Sequence, residues 1–523
     1  MDATLSAPAT VCRTDAAPAA PAPARGRRSD PLLIGALAAG VGAAGAGHPS
    51  LWFDEAATVS AATRPLPELL PLLQHIDAVH GLYYLLMHGW LTLAPVTEFW
   101  LRAPSCLAVG IAAAGVVGLC RRFTGRAAAL TAGVVFAILP RMTWAAVEAR
   151  SYAFTAAVAV WLTVLLVAAA RRGRTWLWPL YGMGAAVAVL LNVYLGLLVA
   201  AHGVAVLALS RRLPVLLRWL AAAAFGVGAL LGFLDLARSQ VGQIAWISPL
   251  GGHTVVDVLR DQYFDGSTPF AIGAGAALGA SFLLWCARRS RISIGDRQLA
   301  VIAVAWLVVP TATLLVWSAV ASPIYYPRYL CFTAPAIAVL LGMAIAHVAR
   351  RPWVVIGVLL AFAAAAAPTY VVSQRGPYKA EGMDYSQIAD VVVRHARPGD
   401  CLLLDNTTSW KPGPIRPLLA ARPSAYRDLV DPGRGRLATE TDRLWDGFVP
   451  IWTVADRVRR CTVLWTVSQR DPAVPARESG TALAPGPRLA GVPVYQLPRA
   501  WGFRIVERWQ FNFAQIVESR RPS

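Results

Sequence analysis

The sequence predicts an α-helical polytopic membrane protein of about eleven transmembrane helices, followed by a small extracytoplasmic α/β domain. Three observations predict it. The 523 residues are 56% hydrophobic and only 15% charged, too apolar for a water-soluble globule of that length. Long stretches, such as 127–140, 153–170, 300–321 and 354–367, carry few or no charges and suit helices that cross hydrocarbon. Beyond Gln374 the composition changes abruptly: charges and prolines rise and no spanning stretch remains, which marks a separate domain of about 150 residues.

In order along the chain, residues 1–30 are rich in Ala and Pro and carry Arg25, Arg27 and Arg28 just before the first apolar stretch. They read as a disordered cytoplasmic tail. A cleavable signal peptide is the alternative, since 30–47 is short and ends in small residues, although its leading segment is long for one. After the first span, basic clusters recur at Arg121, Arg122 and Arg126; at Arg171, Arg172 and Arg174; at Arg211 and Arg212; at Arg288, Arg289 and Arg291; and at Arg350 and Arg351. The positive-inside rule puts each on the cytoplasmic side, and the apolar sequence between consecutive clusters suffices for two spans. The spans fall near 31–47, 101–120, 127–145, 153–170, 176–192, 194–209, 214–234, 269–287, 299–320, 331–347 and 353–372. Their number is odd, so the last one ends outside. The apolar segment 82–95 carries His88, stops at Pro95 and is too short to cross. Inserting it would put every later arginine cluster outside, so it reads as an interfacial helix within the first external loop, 48–100. Outside the C-terminal quarter the arginines that make up most of the net charge of +19 fall in short clusters at helix ends, as membrane topology requires, and the basic balance implies no nucleic-acid partner.

In the domain 374–523, the apolar spacing of Tyr385 to Arg397 predicts a helix, and the turn Pro398, Gly399, Asp400 leads into a buried-strand pattern at Cys401 to Asp405. Thr462 to Val467 is a second strand, and Phe503 to Val517 alternates as edge or hairpin strands do. Cys106, Cys120, Cys286 and Cys331 lie in or at the ends of spans and read as packing residues. Cys401 and Cys461 each stand at the start of a strand in an oxidising compartment, where a disulfide competes with two free thiols.

The external loops carry a concentrated set of polar groups. The first has Trp52, Phe53, Asp54 and Glu55, then His75, Asp77, His80, Tyr83 and Tyr84; the second has Glu148, Arg150, Ser151 and Tyr152; a later one reads Tyr325, Tyr326, Pro327, Arg328, Tyr329. Taken singly, Glu148 with Arg150 reads as an interfacial ion pair and the aromatics as a membrane belt. Asp54 and Glu55 resist that reading, because adjacent acids at a helix exit have no neighbouring cation in sequence. Taken together, the set has what a lipid-phosphate-linked donor requires: arginine for the phosphate and a carboxylate to deprotonate an acceptor hydroxyl. A carrier protein would show paired half-helices or inverted repeats, and no such symmetry is evident in the sequence.

Four segments in order, LWFDEA at Leu51 to Ala56, DAVHGLYYLLMHGW at Asp77 to Trp90, PRMTWAAVEARSYA at Pro140 to Ala153 and PIYYPRYL at Pro323 to Leu330, resemble the GT-C superfamily of membrane glycosyltransferases. The likeness is to bacterial relatives of the protein O-mannosyltransferases and lipid A aminoarabinose transferases, over roughly residues 30 to 400. It implies a GT-C transmembrane domain over 31–373 and a polyprenyl-phosphate sugar, mannose by this likeness, as donor. A glycan, glycolipid or exported protein on the extracytoplasmic side is the acceptor. It implies a catalytic acid at Asp54, with Glu55 in the same motif, and substrate binding by His80, Tyr83, Glu148, Arg150, Tyr152, Arg328 and Tyr329. The chain departs from the pattern at Gly81 and Leu82, where relatives often have prolines after the histidine; this frees the backbone beside His80. No cofactor is required, although a divalent cation bridging Asp54 and Glu148 to phosphate is an option. Alternatives are a pentose transferase of the same fold and, outside enzymes, a lipid or glycolipid flippase.

Overall fold

The computed structural model describes residues 28–172, 174–287, 293–349, 351–378, 382–408 and 415–522. The expected tail up to Arg27 and the basic residues Arg288, Arg289, Arg291 and Arg350 lie outside the described residues.

The chain is mostly helical, with a small C-terminal sheet. Among the described residues, six helices are long and apolar enough to cross a bilayer: Glu98–Cys120, Tyr152–Arg172, Thr268–Ala287, Ile294–Val320, Pro327–Val348 and Pro352–Gln374. Two further candidates are bent pairs: Arg126–Ile138 with Pro140–Ala146 at 57°, and Leu213–Gly228 with Leu231–Ser239 at 51°. Three apolar helices are shorter, Asp30–Ala43, Leu177–Leu191 and Leu195–Leu209. Each of the expected spans coincides with one of these elements. The first is shorter than expected: its helix stops at Ala43 after 14 residues, about 21 Å at 1.5 Å per residue, and Gly45 then takes φ +71°. The bend at Leu139 follows from Pro140, which drives its predecessor into an extended conformation (φ −64°, ψ 120°).

Small residues bring the helices close. A Cβ added to Gly35 would stand 2.9 Å from the Gly110 carbonyl oxygen, so Asp30–Ala43 lies directly on Glu98–Cys120. At one end of the bundle the basic clusters converge. Arg126 makes a two-pronged pair with Asp30 (2.8 Å each), Arg171 donates to the Arg122 carbonyl, and Gln298 ties the same region to Ala208. The opposite end is closed by Arg375, which donates to the carbonyls of Gly42, Ala44 and Thr143.

Between the first and second spans, Phe53–Ala62, Leu66–His75, a 3₁₀ turn at Ala78–His80 and Gly81–Leu91 form a helical cap. Gly81–Leu91, with 11 residues, is far too short to span.

The C-terminal sheet comprises β1 (Cys401–Leu404), β2 (Val463–Gln469), β3 (Arg477–Leu483), β4 (Arg504–Gln510) and β5 (Ala514–Arg520) in the order β1-β2-β5-β4-β3. β1 runs parallel to β2; the other pairings are antiparallel. The expected 503–517 hairpin is β4–β5, and both strands are interior, not at an edge. One of the two edge strands, β3, went unanticipated because Arg477–Leu483 is polar and largely exposed. Cys401 and Cys461 are joined, with Cα atoms 5.9 Å apart, at the heads of neighbouring parallel strands.

The C-terminal domain packs against the helical cap. Leu51, Trp52, Ala56 and Val59 of the cap pack in one continuous core with Tyr385, Ile388, Leu418, Trp465 and Ile516. Reciprocal hydrogen bonds fasten the junction: Leu51 N donates to Ser386 Oγ (2.9 Å) and Ser386 N to Ser50 Oγ (3.0 Å).

Candidate active site

Asp54 and Glu55 open the helix Phe53–Ala62, where a helix N-terminus favours negative charge. Their side chains part company. Glu55 is fully buried in a two-pronged pair with Arg102 (Nε to Oε1 2.8 Å, Nη2 to Oε2 2.6 Å), and its Oε1 also accepts from Ala149 N (3.1 Å). The remaining Arg102 bonds reach the carbonyls of Ala46, Pro49 and Ser50. Glu55, expected in catalysis, is thus placed by the structure against Arg102 and the loop entering the helix.

Asp54 stays partly accessible and faces Arg328, whose Nη2 lies 3.6 Å from Asp54 Oδ2; each side chain is 16% exposed. The Arg328 guanidinium carbon is ringed by Trp52, Trp246, Tyr326 and Tyr329, at 5.0 to 5.9 Å from their centroids. Such a cage strips water from the cation and fixes its plane. Tyr329 stacks on Tyr194 (5.7 Å), and Tyr152 meets Trp144 at a tilt of 42° (5.1 Å). Arg328 borders a cavity of about 240 Å³ whose wall includes Tyr326 and Trp144.

Arg150 donates from Nη1 to Tyr84 Oη (2.9 Å) and contacts His80 Nε2 through Nη2 (2.8 Å); Tyr84 Oη in turn donates to Asp77 Oδ2 (2.6 Å). A guanidinium only donates, so His80 Nε2 accepts and the imidazole is neutral with its proton on Nδ1. Burial, and then the charge of Arg150, hold the His80 pKa well below the ordinary histidine value, in agreement. This network locks the left-handed Asp77 (φ 58°) and the turn after it.

Two residues expected to contact substrate lie in buried surroundings. Tyr83 is fully buried, edge-on to Phe154 at 5.6 Å, and packs the core of the cap. Glu148, also fully buried, accepts from Trp52 Nε1 (3.0 Å) and so anchors one wall of the arginine cage. That engagement leaves it ill suited to bridge a cation with Asp54. Among the described residues no group of three or more His, Cys, Asp or Glu side chains is arranged to hold a metal ion. Asp54, Tyr152 and Tyr329 gather about Arg328, which alone of these four lines the cavity, whereas His80 and Arg150 form the adjoining network. Sequence reading missed Arg102 and Trp246. A lone arginine at the head of an apolar span is itself a signal; Trp246 lies in a loop without pattern.

No protein-family model and no curated protein sequence matches the chain. Solved structures do. ArnT from Cupriavidus metallidurans in the apo state is similar over 93% of this chain and 97% of that one, at 15% identity and a TM-score of 0.55. The same protein bound to undecaprenyl phosphate gives 0.54 with the same coverage and identity. The apo Archaeoglobus fulgidus oligosaccharyltransferase is similar at 12% identity over 85% of this chain and 70% of that one, with a TM-score of 0.47. The chain has the fold of ArnT and is a multi-pass membrane protein.

Proposed function

We propose that the protein is an integral membrane glycosyltransferase that moves a sugar, mannose in our reading, from a polyprenyl-phosphate donor to an envelope glycan, glycolipid or exported protein. The observation that carries this reading is the Asp54–Arg328 pair, a loose contact of 3.6 Å whose arginine sits in an aromatic cage and also lines a cavity. A guanidinium held there can turn its fork onto a phosphate. Undecaprenyl phosphate, a lipid of this class, is bound by a protein of the same fold.

In the reaction, Asp54 takes the proton of the acceptor hydroxyl as its oxygen attacks the anomeric carbon. The bond from that carbon to the phosphate oxygen breaks, and polyprenyl phosphate leaves with its added negative charge facing Arg328. One displacement inverts the anomeric configuration. Tyr152 and Tyr329 border the phosphate, while His80 and Arg150 position the loop that follows Asp77.

The arginine clusters lie at the end of the bundle remote from Asp54, so the positive-inside rule makes that end cytoplasmic and the site extracytoplasmic. The Cys401–Cys461 disulfide suits the same, oxidising side.

The test is incubation of purified protein with polyprenyl-phosphate mannose and pentose donors and with envelope lipid fractions or exported peptides. The expected result is an inverted glycosidic product with the mannose donor, absent with Asp54→Asn. Transfer from the pentose donor alone would reassign the sugar; no transfer from any pair, or undiminished transfer by Asp54→Asn, would overturn the mechanism.

A further inference from the structure

We infer that the cavity beside Arg328 receives the transferred sugar, and that Asp257 is its principal hydroxyl acceptor. This rests on the glycosyltransferase reading above and adds the pocket that reading leaves unspecified. The volume of about 240 Å³ falls below the ~300 Å³ at which drug-sized pockets begin, a size for one sugar ring and not for an oligosaccharide.

The lining has the chemistry of a sugar ring. Trp144 and Tyr326 offer aromatic faces, whose negative π surface meets the positive C–H edges of a pyranose or furanose. Asp257, Asp261 and Asp265 offer carboxylates, which accept from hydroxyls and donate nothing when ionised. The three differ in how far they are occupied. Asp265 is engaged by Arg141 (2.9 Å) and by Gln374 Nε2 (2.8 Å). Asp261 is held two-pronged by Arg260 (2.6 and 3.1 Å). Asp257 has a looser contact, 3.8 Å from His253 Nε2, and its side chain is 24% exposed. It therefore has the most accepting capacity to give. Arg328 belongs at once to this cavity and to the Asp54 pair. A phosphate on Arg328 would thus set its sugar in the cavity with the anomeric carbon toward Asp54.

Affinity for bare polyprenyl phosphate, polyprenyl-phosphate mannose and a polyprenyl-phosphate pentose, measured on full-length protein in nanodiscs, separates this inference from its premise. Wild-type protein should bind at least one sugar-bearing lipid more tightly than the bare one. Asp257→Ala should lose roughly 10- to 100-fold of that advantage, the worth of a hydrogen bond to a charged group. It should bind the bare lipid as wild type does, which also reports an intact fold. Failure of wild-type protein to bind bare polyprenyl phosphate would overturn the premise and the pocket with it. A sugar advantage that is absent in wild type, or undiminished in Asp257→Ala, would overturn the pocket alone. Equal loss of bare-lipid and sugar-lipid binding would remove Asp257 from the sugar.

Discussion

An acceptor hydroxyl in neutral water is almost wholly protonated, so a nearby carboxylate matters only if its lone pairs are available. Asp54 meets that condition and Glu55 does not, although they are adjacent in the chain. The difference comes from Arg102, 47 positions away, which takes both oxygens of Glu55. The sequence marks both acids; it cannot say which one a distant cation will claim. Asp54→Asn keeps shape and hydrogen bonding but loses basicity, and turnover should fall by ~10²- to ~10⁴-fold with donor binding intact. Retention of more than a tenth of turnover in a steady-state transfer assay would point to another base. Glu55→Gln should act on folding instead, by leaving Arg102 buried and unpaired at a cost of about 3–5 kcal/mol. Its melting temperature in detergent should drop markedly, and a normal melt would contradict the structural role. Arg328→Lys keeps the charge but not the two-pronged fork, so the Michaelis constant for the lipid-phosphate sugar should rise; an unchanged constant with normal turnover would make Arg328 structural.

Apolar helices are the most legible elements, because a bilayer demands long uncharged stretches and the arginines mark where they stop. β3 is illegible for the opposite reason: a polar edge strand at Arg477–Leu483 has no buried face to pattern it. Tyr385–His395 carries an element-level prediction. The preceding residue, Asp384, is fully enclosed, and its Oδ2 accepts from Phe513 N (2.6 Å) and Ala514 N (3.0 Å) in the turn between β4 and β5. Burial raises its carboxyl pKa to about 6 from the ordinary 3.8, against the opposing pull of those backbone bonds. The folded state then binds the proton more readily than the unfolded one. Its contribution to stability is fully present below about 4 and is lost as the pH rises to about 6. Asp384→Asn retains an acceptor and never ionises. Its melting temperature relative to wild type should be higher at pH 7.5 than at pH 4.5, and a difference independent of pH would refute the titration of this group.

Over the whole molecule, the number and order of the spans follow from charge parity, and the orientation can be checked directly. A protein lacking Cys12, Cys106, Cys120, Cys286 and Cys331, with the disulfide retained, would carry a new cysteine at exposed Ser479 or Arg212. On intact cells an impermeant maleimide should modify the first and not the second; the reverse would invert the topology. The union of the first loop with the C-terminal domain is not legible, because Leu51 and Ser386 are 335 positions apart and nothing periodic links them. That union sets a timetable for biogenesis. At ~5–20 residues per second, the ribosome delivers Ser386 about 15 to 70 s after Leu51 has emerged. The helix Phe53–Ala62 must wait, its apolar face uncovered, until nearly the last strand has been made. A nascent chain stalled between Gln374 and β5 would have every span but an incomplete core around Phe53–Ala62, so the proposed site would be finished only with the last strand.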